Sequence, residues 1–179
     1  MSSHPVAAGS FFRFKNPVVS RVAGFLTDIG LIVKPAAISH KTFLGGLLIR
    51  HGELWIDESR LTYPGDVLHE AGHLAILPPR QRQQLNENVG NDGGLEMAAI
   101  AWSYAAALHL GLDPAIVFHA DGYKGGAQAI LDNFAQGRYV GVPYLEWLGM
   151  TIDRKMAILV QAPPYPHMLK WLNDEPLAG

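Results

Sequence analysis

Cysteine is missing from all 179 residues of the chain. Its absence excludes disulfides and thiolate metal sites together, so a bound metal must use His, Asp or Glu, and it suits a reducing cytoplasm. Charge of one sign is also scarce. The 14 Lys and Arg against 16 Asp and Glu leave a net charge of -2, with a pI near 6.4. Such a balance gives no basic field to draw nucleic acid or an anionic membrane, and neither is an expected partner. Long hydrophobic runs are absent as well, because the longest apolar stretch, residues 18–33, is broken by Arg21, Asp28 and Gly30. That argues against a membrane span. The opening Met-Ser-Ser-His-Pro lacks a basic segment followed by an apolar core, so no signal peptide is expected. No internal repeat or low-complexity block occurs.

What is present is enough apolar material for a core: 49% of the residues are hydrophobic, and one domain is the default for this length. Residues 1–15 read as an N-terminal arm whose Phe11, Phe12 and Phe14 dock on the body, and residues 16–179 as a single domain. Asn16-Pro17 caps and starts a helix with Val18, Val22, Phe25, Leu26 and Ile29 on one stripe, closed by Gly30. Short apolar runs at 31–34, 43–50 and 53–57 read as strands, the last two joined by a His51-Gly52 hairpin turn. Helical spacing returns at Ala127, Ile130, Leu131 and Phe134, and again after Pro143. Residues 156–160 read as a strand or a last apolar support, and 162–167 as a stiff extended segment lying across the surface. The expected class is α+β, a small sheet packed against helices.

Residues 69–73 read His-Glu-Ala-Gly-His, an HExxH run. On a helix, positions four apart lie one turn from each other on one side, so both imidazoles reach a single ion with Glu70 beside them. Context supports a helix: Asp66 after a Tyr-Pro-Gly turn is the expected N-cap, Val67, Leu68, Ala71, Leu74 and Ala75 follow at helical spacing, and Pro78-Pro79 is the stop. Gly72 in a helix interior costs roughly 1 kcal/mol against Ala, and close approach of a neighbouring backbone would account for it. In this pattern His69 and His73 bind Zn2+, while Glu70 takes a proton from the attacking water as general base, which points to peptide or amide hydrolysis.

A catalytic zinc takes three protein ligands and keeps one position open. A second helix begins at Gly93-Gly94-Leu95-Glu96 and ends at Gly111, rich in alanines that permit tight approach. Glu96, in its first turn, is the preferred third ligand, with Asp92 second and Glu87 third. The competing reading of Glu96 is a carboxylate favoured at a helix N-terminus by the dipole, and that of Asp92 is a turn residue.

Over residues 60–110 the chain resembles the zincin metallopeptidases, specifically their glutamate-ligand branch, the gluzincins, and most of all the compact bacterial ImmA/IrrE-type peptidases. The resemblance implies a zincin-like fold, a ligand set of His69, His73 and Glu96, and Glu70 as general base. It also implies a regulatory protease with one dedicated protein target. The pattern departs in two respects: the loop between Pro79 and Glu96 is rich in Gln and Asn, and Ile100 stands where an aspartate four residues after the ligand glutamate would orient a ligand histidine.

A Tyr or His often steadies the developing oxyanion in such chemistry, and Tyr104, His109, His119, Tyr123 and Tyr144 all follow the motif. The glycine-rich stretch 121–126 lacks the Gly-Lys-Ser/Thr order of a phosphate loop and reads as a cleft-lining loop. A free sheet edge near the HExxH helix would accept an extended peptide as an added strand. The expected function is a cytoplasmic zinc-dependent metallopeptidase acting on a peptide or protein. The alternative from another class is a catalytically silent zincin-fold module that binds metal or a protein partner.

Overall fold

In the computed structural model residues 14–87 and 92–174 are described, and they form an α+β structure of seven helices and a three-stranded mixed sheet. The first helix, α1 (Pro17–Asp28), starts where sequence chemistry places it: the Asn16 side chain accepts from the amides of Val18 and Val19, and Pro17 needs no donor there. Its buried face is Val19, Val22, Ala23, Phe25 and Leu26. Phe14 is buried ahead of it; Phe11 and Phe12 lie outside the described residues.

Three strands follow, β1 (Val33–Pro35), β2 (Leu47–Arg50) and β3 (Glu53–Ile56), in the order β1-β3-β2, with β1 parallel and β2 antiparallel to β3. The β2–β3 register pairs Leu47 with Ile56 and Arg50 with Glu53. Between them His51 and Gly52 both have positive φ, 50° and 74°, the twist that a two-residue hairpin turn requires. Leu47, Ile49, Leu54 and Ile56 alternate into the core.

The strand expected over 43–50 is shorter than its apolar content suggests. Phe43 is 96% exposed, and the Leu47 amide bonds back to the Leu44 carbonyl at 3.1 Å, so a turn occupies the first half of that run. Similarly, the Leu31 amide bonds to Leu26 O, ending α1 rather than opening β1. The outer edge of β2 is partly covered: the Glu87 amide donates to Ile49 O, and the His51 amide donates to Asn86 Oδ1, each at 2.9 Å.

The centre of the molecule is α2 (Asp66–Ile76) against α4 (Gly93–His109). Ten of the eleven α2 residues are buried, all except Glu70. A Cβ at Gly72 would meet Ala99 O at 3.0 Å and Ala99 Cα at 3.3 Å, so the glycine and the buried alanines of α4 together set the spacing of the two helices. Pro78-Pro79 ends α2 as expected, and Pro79 then opens the short α3 (Pro79–Gln84). The C-terminal end of α2 is tied down from afar. Asn173 donates to Ala75 O and Ile76 O at 2.8 and 3.0 Å, and Arg82 to Leu74 O and Leu77 O at 2.7 and 2.8 Å. These are orphan carbonyls that a helix end must otherwise lose to solvent.

The remaining elements are α5 (Ala127–Ala135), α6 (Val142–Trp147) and α7 (Arg154–Val160), with short 3-10 turns at Pro114–Ile116 and Tyr123–Gly125. The apolar run 156–160 is therefore helix, started by Asp153, whose carboxylate accepts from the Met156 amide at 2.7 Å, and it buries only Ala157. The segment 162–167 does not merely cross the surface: Tyr165 is buried and its hydroxyl donates to Ala101 O at 2.9 Å. Trp102, fully buried, donates from Nε1 to Trp171 O at 2.9 Å. No helix among the described residues is long and apolar enough to cross a membrane.

Candidate metal centre

The α2–α4 contact brings His69, His73 and Glu96 together. His69 Nε2 and His73 Nε2 are 3.2 Å apart; Glu96 Oε1 is 3.3 Å from His69 Nε2, and Glu96 Oε2 is 3.2 Å from His73 Nε2. Both imidazoles are nearly enclosed, at 11% and 5% side-chain exposure, while Glu96 at 44% keeps one side open. Helical spacing alone aligns the histidines; Glu96 arrives because its helix crosses tightly at Gly72.

The donor set fits a cation. If both Nε2 atoms carried protons for the Glu96 carboxylate, two N–H groups would face each other at 3.2 Å; if one did not, a contact to the carboxylate would lose its proton. A shared positive ion satisfies all three contacts. Two ligand atoms about 2.0–2.1 Å from a tetrahedral centre stand about 3.3–3.4 Å apart, and the His69 and His73 Nε2 atoms are 3.2 Å apart, while Glu96 sets a different oxygen against each imidazole, at 3.3 and 3.2 Å. Glu70 belongs to the same cluster: one ligand atom each from His69, Glu70 and His73 lies within 4.8 Å of the others. That group could hold a metal ion. The second nearby carboxylate, Glu96, sets each of its oxygens against one of the two imidazole nitrogens.

Electrostatics separates the two glutamates. The hydrogen bonds to His69 and His73 hold the Glu96 carboxyl well below the usual carboxylate range. Burial pushes the Glu70 carboxyl up to about 7, with Asp66 and Glu96 adding repulsion and His73 opposing them. The two carboxylates are thus shifted in opposite directions, Glu96 towards its charged form and Glu70 towards its protonated one.

The other sequence candidates fall elsewhere. Asp92 caps α4, accepting from the amides of Gly94 and Leu95 at 2.8 and 3.2 Å. Glu87 is 71% exposed and 3.9 Å from His40 Nε2. Ile100 is buried in the core, so no carboxylate from that position reaches a ligand histidine, and His69 Nδ1 is buried without a partner. Tyr104 packs against Phe134, His109 against Phe25 and Trp171, and Tyr144 against Trp147.

Asp66 is not the expected N-cap. Gly65 occupies that position with no side-chain cap, since the chain at Ile116 lies directly over it; a Cβ at Gly65 would stand 1.9 Å from Ile116 O. Asp66 instead turns its buried carboxylate to His119, Oδ1 to Nε2 at 3.0 Å. Burial raises its pKa and the His119 bond opposes the rise. The His119 ring stacks on Tyr63 at 3.7 Å and 10°, and the Tyr63 hydroxyl donates to Asp121. This pair, 53 residues apart, left no local signal in the sequence. Tyr123 completes this flank, its ring edge-on to His69 at 5.4 Å between centroids. Comparison with known protein families, curated proteins and solved structures finds no match to the chain.

Proposed function

We propose that the protein is a zinc-dependent hydrolase of peptide or amide bonds, with His69, His73 and Glu96 holding the ion and Glu70 as general base. The observation that carries this reading is the convergence of two buried imidazoles 3.2 Å apart and a carboxylate with one oxygen against each, beside a second carboxylate in the same cluster. A zinc ion in such a set supplies a Lewis acid that polarises a carbonyl and lowers the pKa of a coordinated water towards neutrality. Glu70 accepts a proton from the water that attacks the carbonyl carbon, then returns it to the leaving nitrogen, so the carboxylate is regenerated. Glu96 stays anionic throughout and offsets the ion's charge. The half-open side of Glu96 leaves an approach for an extended chain. Zinc is the preferred ion for two imidazoles and a carboxylate in a tetrahedral arrangement.

This reading keeps the likeness to gluzincins of the ImmA/IrrE type as a proposal about mechanism, resting on the ligand set and base rather than on overall shape. The experiment is elemental analysis of the purified chain together with hydrolysis of a peptide library. About one zinc per chain and cleavage abolished by chelation are expected. Glu70→Gln should keep the zinc and lower the rate by about 10²–10⁴-fold; full activity in that variant would refute the role of Glu70. One observation favours a second reading, a metal-holding module without hydrolysis: His69 Nδ1 has no orienting partner, and the groups that orient ligands normally sharpen metal sites. Stoichiometric zinc with no cleavage of any peptide or cellular protein would select it.

A further inference from the structure

A single aliphatic side chain on a surface is ordinary, but a whole helix of them marks a contact to be made. In α7 every residue except Ala157 is exposed, Met156, Ile158, Leu159 and Val160 among them. Ala157 marks the inward side. Positions two before and two after it lie opposite, so Lys155 and Leu159 share the outer face one turn apart, with Met156 and Ile158 to either side. Beside the helix runs an open groove of about 360 Å³, lined by Arg154, Ala157, Ile158, Ala162 and Pro164. Its one charged group is Arg154. Neither Arg154 nor Lys155 has a carboxylate partner among the described residues. Glu146 and Asp153 are close enough for their charges to repel, which brings Trp147, 76% exposed, near the start of the helix.

We propose that α7 docks on an anionic lipid surface, with Met156, Ile158 and Leu159 entering the acyl boundary and Arg154 and Lys155 meeting the headgroup phosphates. The net charge of -2 gives no long-range attraction, so the two cations act locally, each worth about fivefold in affinity near such a surface. Lys155 does not interrupt the apolar face, because its methylene stem packs along hydrocarbon while the ammonium reaches the headgroups. Trp147 suits the same boundary, having an apolar ring and one polar N–H. The nearby carboxylates oppose this attraction weakly. Asp153 is held on the helix cap by the Met156 amide, and burial shifts Glu146 towards its neutral form. A second copy of the chain fits less well, since one seven-residue helix and an indole fall short of the about 800 Å² that each partner of a stable pair buries. Lipid binding asks for apolar area and cationic charge together, and α7 has both.

The test is co-sedimentation of the full chain with vesicles of phosphatidylcholine and phosphatidylglycerol in equal parts, and with vesicles of phosphatidylcholine alone. The wild type should bind the mixed vesicles and hold phosphatidylcholine about thirtyfold more weakly, a difference that raised salt removes. Arg154→Gln with Lys155→Gln should lose about the same factor on the mixed vesicles. Ile158→Ser with Leu159→Ser should weaken that binding by about a hundredfold and leave the melting temperature in buffer unchanged. Tryptophan emission should move to the blue on binding, and the shift should shrink in Trp147→Phe. No binding of the wild type to the mixed vesicles, equal binding to phosphatidylcholine alone, or equal binding by the serine variant overturns the proposal. A dimer in sedimentation equilibrium that the serine substitutions abolish also overturns it and assigns the face to a second copy. So does a lower melting temperature of the serine variant in buffer, since the face would then be covered without lipid.

Discussion

Helices α2 and α7 are both rich in apolar residues, yet they are used in opposite ways. In α2, ten of eleven residues are buried, including Asp66, His69 and His73. In α7 only Ala157 is buried, and Ile158 and Leu159 are 79% and 75% exposed. Burying polar groups in a tightly packed helix while leaving aliphatic ones in water on another runs against the transfer free energies of both. The contrast teaches that α2 is organised around its polar side chains. Its aliphatic residues fill the remaining surface, and α4 is brought close enough by Gly72 to supply Glu96.

Four substitutions break or sharpen this contrast. The largest effect belongs to His73→Ala, which removes one of three ligands: zinc content should fall from about one per chain to near zero, and elemental analysis reads it directly. A variant that kept full zinc would mean that His73 is not a ligand. Next comes Trp102→Ala on α4, where loss of a fully buried indole and its bond to Trp171 O should cost about 3–5 kcal/mol in urea unfolding. Gly72→Ala should destabilise by about 1–3 kcal/mol despite the better helix propensity of alanine, because the new methyl meets Ala99 O at 3.0 Å; weaker zinc binding should accompany it, as Glu96 is pushed away. A stabilised Gly72→Ala protein would show that the helices are not held at contact. Smallest is Leu159→Ser on α7, expected to change stability by no more than about 0.5 kcal/mol, and a loss of several kcal/mol there would show that α7 is covered in solution.

Much of α2 and α4 was legible in the sequence because the relevant information is local. HExxH spacing, Pro78, Asn16-Pro17 and the alanines of α4 each act within a turn or two of helix, and Gly72 signalled a close neighbour before the neighbour was known. What failed was information that depends on distant chain. Asp66 has the right chemistry for a cap, but whether it caps depends on the backbone of Gly65, which the loop at Ile116 dictates. The bond between Asp66 and His119 spans 53 residues and has no periodic trace. Residues 43–46 are apolar enough for a strand, but β3 pairs only as far as Leu47. At 156–160 the uninterrupted apolar run carries no alternation to mark a buried face, and the Asp153 cap decided for helix. The Tyr123 ring lies 5.4 Å from that of His69 between centroids, a proximity across 54 positions that leaves no local trace in the sequence.

The bond from Asn173 to the Ile76 carbonyl bridges 97 residues, and the one to Ala75 bridges one more. During synthesis both histidines precede Asn173, so the carbonyls at the end of α2 lack these two partners until the downstream chain is added. Loss of the segment around Asn173 should therefore loosen the helix that carries both histidines while leaving His69, His73 and Glu96 themselves in place.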